Sequence, residues 1–222
     1  MRESWYIRAM IRWILALLLF AALASAAQAH PHIWVTMRAE IVYAPDGAII
    51  GIKNAWSFDD MFSTMATQGI DAAEKGKFTR EELKDLAEVN VSSLKGYDYF
   101  TSANADGTKV QFKDPADGEY WLDYKDQILT LNFTLKFDTP IKPRELDIEI
   151  YDPTYYIDFA FAKSRPVSAA NAPADCTLTS LVPQELSYQE GKKLAESFFN
   201  NPSNASSWGS QMASKIKVTC PR

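Results

Sequence analysis

The sequence predicts an α+β fold that is mainly β: a β-sandwich-like core of the immunoglobulin kind, with a helical insertion and a C-terminal helix. Three observations predict it. Five short strand-like runs follow one another at 97–103, 108–113, 119–125, 127–137 and 145–151, with turn signals such as Asn104-Ala105-Asp106-Gly107 and Asp117-Gly118 between them. Residues 59–95 lack that pattern and carry helix-boundary chemistry instead. The composition is globular, 47% hydrophobic, 23% charged and 13% aromatic over 222 residues, which removes the collagen-like, low-complexity and disordered classes.

The elements follow in order. Residues 32–43 alternate, His32, Trp34 and Thr36 against Ile33, Val35 and Met37, and predict a first strand. Pro45-Asp46-Gly47 turns the chain and residues 48–58 return beside it, a hairpin with a loop longer than two residues. Helices are predicted over 59–69 and 79–94, the second opened by Thr79 with Glu82 three residues on, the capping-box spacing. After the five short runs, residues 155–162 read as extended and 164–175, with Pro166 and Pro173, as a surface connector. A strand at 176–182, a helix at about 187–200 and a strand at 214–220 complete the chain. No internal repeat is present, and one domain is expected over 30–222, with the helical insertion at about 59–95.

Residues 1–29 read as a secretory leader rather than part of the fold. Arg2, Arg8 and Arg12 make a positive start, 13–24 is an apolar run of twelve, and Ala27-Gln28-Ala29 is an A-x-A cleavage site. The run is shorter than a comfortable membrane span, so no stable insertion is expected after cleavage, and the expected location is the bacterial periplasm. The formal charge of −5, from 23 basic and 28 acidic residues, argues against a nucleic-acid partner. Cleavage leaves 20 basic and 27 acidic side chains, a net −7 over 193 residues. Cys176 and Cys220 are the only cysteines, and an oxidising compartment predicts a disulfide between them.

Cleavage after Ala29 exposes His30-Pro31-His32-Ile33-Trp34-Val35, which contains both histidines of the chain. An α-amino group titrates at about 7.7–8.0, so a metal can displace its proton near neutral pH. The amine and Nδ1 of His30 can then chelate one ion. In an extended segment His32, two residues on, projects to the same face. Pro31 has no N–H to give up, so the planar amino-terminal copper/nickel site built on deprotonated amides cannot form in full. Imidazole suits zinc, copper and nickel, and a carboxylate completing the set favours zinc. Asp59, in Trp56-Ser57-Phe58-Asp59-Asp60, and Asp152, before Pro153, are the first carboxylate candidates, although a helix cap and a turn explain them equally well. Residues 71–82 outline a calcium loop, with Asp71, Gly76, Phe78 and Glu82 at positions 1, 6, 8 and 12. Positions 3 and 5 hold Ala73 and Lys75, which predicts a scaffold rather than a calcium site. G-x-S-x-G, P-loop and H-E-x-x-H patterns are absent, and no enzyme activity is expected.

His30-Pro31-His32-Ile33-Trp34-Val35, Trp56-Ser57-Phe58-Asp59-Asp60-Met61-Phe62-Ser63, Tyr99-Phe100-Thr101 and Tyr151-Asp152-Pro153-Thr154-Tyr155-Tyr156-Ile157-Asp158 together resemble one family. It comprises periplasmic proteins described as ABC-type transport components, the ZevA-like zinc-import accessory proteins among them. The resemblance spans nearly the whole chain after the leader. It implies a metal-related role beside an inner-membrane permease of the nickel/cobalt transporter type, with zinc as the cargo. The expectation is therefore a periplasmic accessory protein that holds a divalent transition metal and exchanges it with that permease. The rivals are an immunoglobulin-like interaction or assembly module without metal, a copper oxidase with a histidine brace, and a two-lobed solute-binding protein, for which a 193-residue β-rich chain lacks the lobes.

Overall fold

A computed structural model describes residues 32–154, 156–183 and 213–221. The twelve strands among them form two sheets. The larger sheet contains β1 (Ile33–Tyr43), β2 (Ile49–Phe58), β5 (Phe112–Lys113), β6 (Tyr120–Lys125), β7 (Ile128–Ile141), β9 (Ile157–Phe161) and β10 (Val167–Ala170). Its order is β10-β1-β2-β7-β5, with β6 also on β7 and β9 also on β1. The smaller sheet runs β11 (Thr177–Leu181), β12 (Ser214–Thr219), β8 (Glu145–Ile150), β3 (Thr101–Ala105) and β4 (Thr108–Val110). Two helices, α1 (Asp60–Ala66) and α2 (Lys84–Lys95), lie between β2 and β3. The described residues thus form a mainly β, sandwich-like α+β fold, as the alternation predicts.

The alternation becomes burial. Val35, Met37, Ala39 and Ile41 of β1 turn inward, as do Ile52, Asn54, Trp56 and Phe58 of β2 and Leu129, Leu131, Phe133, Leu135 and Phe137 of β7. They share one apolar core with Ala103, Leu146, Ile148, Ile150, Ile216 and Val218 of the smaller sheet. Burial at roughly 25 cal/mol per Å² of apolar surface makes this core the main source of stability. The Trp56 ring lies 4.7 Å from those of Phe133 and Phe159, and Phe100 lies 5.5 Å from Phe159. Gly51 is required where β2 meets β7, because a Cβ there would stand 2.2 Å from the Leu135 carbonyl oxygen.

The structure corrects four readings. The run at 108–113 is two strands: β4 pairs with β3 in the smaller sheet, and β5 pairs with β7 in the larger. The connector at 164–175 contains β10, parallel to β1 from Ala39↔Val167 to Val42↔Ala170. Its polarity and prolines conceal an edge strand, where Pro166 needs no ladder N–H and offers its carbonyl to the Ala39 N–H at 2.9 Å. The run at 97–103 opens with a tight turn, in which Asp98, Tyr99 and Phe100 hold φ of 49°, 53° and 49°. Burial of Tyr99 and Phe100 and the 2.9 Å hydrogen bond from the Tyr99 hydroxyl to Asp114 Oδ1 offset that left-handed backbone. Helix α2 starts at Lys84 rather than Thr79, although the capping box forms: Glu82 Oε2 accepts the Thr79 N–H at 2.7 Å and Thr79 Oγ1 accepts the Glu82 N–H at 3.2 Å.

Cys176 and Cys220 form a disulfide that ties the start of β11 to the end of β12, beside the Thr177↔Thr219 pair. Closing a loop with a sequence separation of 44 stabilises by about 4 kcal/mol on the chain-entropy model. The predicted leader at 1–29 and the helix at about 187–200 lie outside the described residues.

Candidate metal centre

The described residues of the four sequence blocks meet at one end of the sandwich, and the backbone connects them. Antiparallel pairing of β1 and β2 from Val35↔Phe58 brings Asp59 opposite Trp34. The Asp59 N–H donates to the Trp34 carbonyl at 3.0 Å, and Asp59 Oδ2 accepts the Trp34 N–H at 3.0 Å. On the other side of β1, strand β9 runs parallel in the register Ile33↔Ile157, Trp34↔Asp158 and Val35↔Phe159. The N–H groups of His32 and Ile33 both donate to the Tyr156 carbonyl, at 2.9 and 3.3 Å. The Tyr151 N–H donates to the Phe100 carbonyl at 3.0 Å, which joins the Tyr99-Phe100-Thr101 block to the loop before β9.

Val35 and Phe159 face the core, so Trp34 and Asp158, one residue earlier on each strand, face outward. His32 lies on the same outer face, exposed, with its ring 4.8 Å from that of Tyr156. Across the strands β2, β1 and β9 the outer row therefore reads Asp59, Trp34, Asp158, with His32 and Tyr156 beyond it. Trp34 is 47% exposed and Tyr156 45% exposed, so this end presents aromatic surface around the imidazole.

The two predicted carboxylates have different freedom. Asp59 is the N-cap of α1: its Oδ1 accepts the Phe62 N–H at 2.8 Å while Oδ2 holds Trp34. One lone pair on each oxygen remains. Asp152 is 7% exposed and takes four hydrogen bonds. Its Oδ1 accepts from the Thr154 N–H and hydroxyl, both at 2.8 Å, and its Oδ2 from the Tyr156 and Ile157 N–H groups, both at 3.0 Å. All four lone-pair positions of that carboxylate are filled, and Asp152 shapes the loop that delivers Tyr156 to His32. The turn reading of Asp152 describes its geometry.

Sequence reasoning did not rank Asp158 among the ligands. It is half-buried, its carboxylate has no hydrogen-bond or ion-pair partner among the described residues, and burial pushes its pKa above the ordinary carboxylate value. The signal that could have found it is the parity of the Tyr155-Tyr156-Ile157-Asp158 run, but that parity has meaning only once β9 is known to pair with β1. His30 lies outside the described residues. Among the described residues no cluster of three or more His, Cys, Asp and Glu side chains surrounds a single point. The calcium-like loop is closed by its own Glu82, whose Oε1 accepts the Ala73 N–H at 2.7 Å.

Among the described residues no helix is long and apolar enough to cross a membrane. The disulfide fits an oxidising compartment. No curated protein matches the chain. A family model matches residues 15–220, nearly the whole sequence and all four of the converging blocks. The chain belongs to the family described as protein of unknown function DUF1007.

Proposed function

We propose that the protein is a periplasmic accessory protein that carries a divalent transition metal, zinc first, and exchanges it with an inner-membrane permease of the nickel/cobalt transporter type. The metal is cargo rather than a resident cofactor. His30 binds through its α-amino group and imidazole, His32 through its imidazole, and a carboxylate of the same end completes the set. The observation that carries this reading is the outward-facing His32 at the point where the four blocks converge, immediately before β1 and two residues after His30 in the sequence. Donor chemistry agrees, since two imidazoles and a carboxylate are usual zinc ligands and the amine supplies a further nitrogen donor. Attachment through a chain end suits exchange, because termini open at low free-energy cost.

The direct test is a zinc titration, by competition with a chromophoric chelator, of protein beginning at His30 and of its His32→Ala variant. Loss of the imidazole should weaken zinc at least tenfold. Equal affinity in both proteins would remove His32 from the site. A second reading, an interaction module without metal, draws on the apolar side chains exposed at this end: Trp34, Tyr156, and Met61 and Met65 of α1. Under that reading, replacement of both histidines leaves function in the cell intact.

A further inference from the structure

We propose that Asp158 is the carboxylate ligand of the metal site, facing the same outer surface as His32 and closing on one ion with it. This assignment rests on the metal-binding reading above and names its missing ligand.

The register supplies the geometry. His32 and Tyr156 are neighbours, Trp34 and Asp158 are neighbours, and the side chains of all four project from one face of the β1–β9 pair. Strands stand about 4.8 Å apart and alternate residues about 6.6 Å along a strand, so His32 and Asp158 are diagonal neighbours with roughly 8 Å between their backbones. An imidazole and a carboxylate reaching from those positions, each with a metal–ligand bond of about 2.0–2.2 Å, can meet at a single ion.

Elimination supports the same residue. The Asp152 carboxylate is filled by four donors, and releasing it would dismantle the loop that holds Tyr156 against His32. Asp59 lies on the far side of Trp34 from β9 and is engaged by two backbone N–H groups that fix the start of α1 and the start of β1. Asp158 alone of the three has both oxygens without a partner among the described residues. A carboxylate withdrawn from water without a donor or counter-charge costs free energy, and a bound cation repays that cost. Placement on β9, within the sheet, gives the site a fixed wall beside His32.

The test uses protein beginning at His30, zinc and cobalt salts, and four variants, His32→Ala among them. Asp158→Asn should weaken zinc tenfold or more, with its circular dichroism and thermal unfolding still those of a folded protein. Asp59→Asn should change zinc affinity less than threefold. Cobalt loaded onto Asp158→Cys should give a thiolate-to-cobalt charge-transfer band that the parent protein lacks. Zinc affinity unchanged in Asp158→Asn but lost in His32→Ala would overturn the assignment and leave the metal reading standing. Cobalt bound by Asp158→Cys without the band would overturn it as well. Failure of the parent protein to bind zinc, cobalt, copper or nickel would end both.

Discussion

Asn54 is polar in the middle of an apolar core. It is 3% exposed, on the inward face of β2 between Ala39 and Phe133, and neither its amide nitrogen nor its oxygen has a hydrogen-bond partner. Trp56, two residues on and 1% exposed, leaves its indole N–H in the same condition. Each unsatisfied group costs about 1–3 kcal/mol. Asn54→Leu should therefore raise stability by about 1–3 kcal/mol in urea unfolding, and a loss of stability would show that the amide is hydrogen-bonded in solution. Asp158 poses the same question on the surface. An acid whose folded pKa lies above its unfolded value contributes stability that is fully present below the unfolded pKa and lost as pH rises through the folded one. Metal-free Asp158→Asn should thus be more stable than the parent near neutral pH, and the advantage should disappear below about pH 4. At this scale the sequence was informative about type and silent about freedom. His32, Asp59 and Asp152 could be picked out as polar residues in aromatic settings. That Asp152 spends every lone pair on its own loop while Asp158 spends none depends on hydrogen bonds that spacing does not encode.

Among the elements, the insertion between β2 and β3 shows how a metal-loop outline can serve as a clamp. Glu82, at the last position of the loop, takes the N–H groups of Thr79 and Ala73 and the Thr79 hydroxyl, at 2.7, 2.7 and 2.8 Å. Arg80 then reaches the larger sheet, where its guanidinium pairs with Asp123 at 2.7 Å and lies 4.8 Å from the Trp121 ring centre. The backbone donors hold the Glu82 carboxyl below the usual glutamate range, most strongly the Thr79 N–H. Because the folded pKa is depressed, this contribution is present above the unfolded value of about 4.3 and is lost as pH falls toward the folded one. Glu82→Gln should erase that part of the acid sensitivity. Amide exchange at Ala73 and Thr79 should become faster at pH 7 in the variant; unchanged exchange would show that the loop closes without the carboxylate. The capping box was legible because both partners are local. The Arg80–Asp123 bridge was not, because its partners stand 43 residues apart. The same limit explains β10, a short edge strand specified by its neighbour β1, and the split of 108–113 between two sheets, which only the global pairing decides.

Across the whole molecule, the fold class was readable because two-residue alternation recurs in nearly every strand and the core follows it. The convergence of the four blocks was not, since it depends on β9 running parallel to the N-terminal half of β1 while β10 takes the other half. That convergence also sorts charge. Residues 30–37, 56–66, 97–101 and 149–160 carry Asp59, Asp60, Asp98, Glu149, Asp152 and Asp158 and no lysine or arginine. Glu149 is neutralised by Lys215 at 2.7 Å. The remaining acids favour cations at this end within a Debye length of about 8 Å at physiological salt. The disulfide fastens the β11–β12 pair away from it, beside the Arg144 carbonyl that accepts the Cys220 N–H at 2.8 Å.

The measurement that tests metal carriage most directly is a map of backbone amide shifts, by two-dimensional nuclear magnetic resonance, as zinc is added to protein beginning at His30. Binding at the proposed end predicts that the largest changes fall on His32–Trp34 and Tyr156–Asp158, with smaller ones at Asp59 and Asp60 and none in the 71–82 loop. Changes confined to the 71–82 loop, or none at a zinc excess, would contradict it.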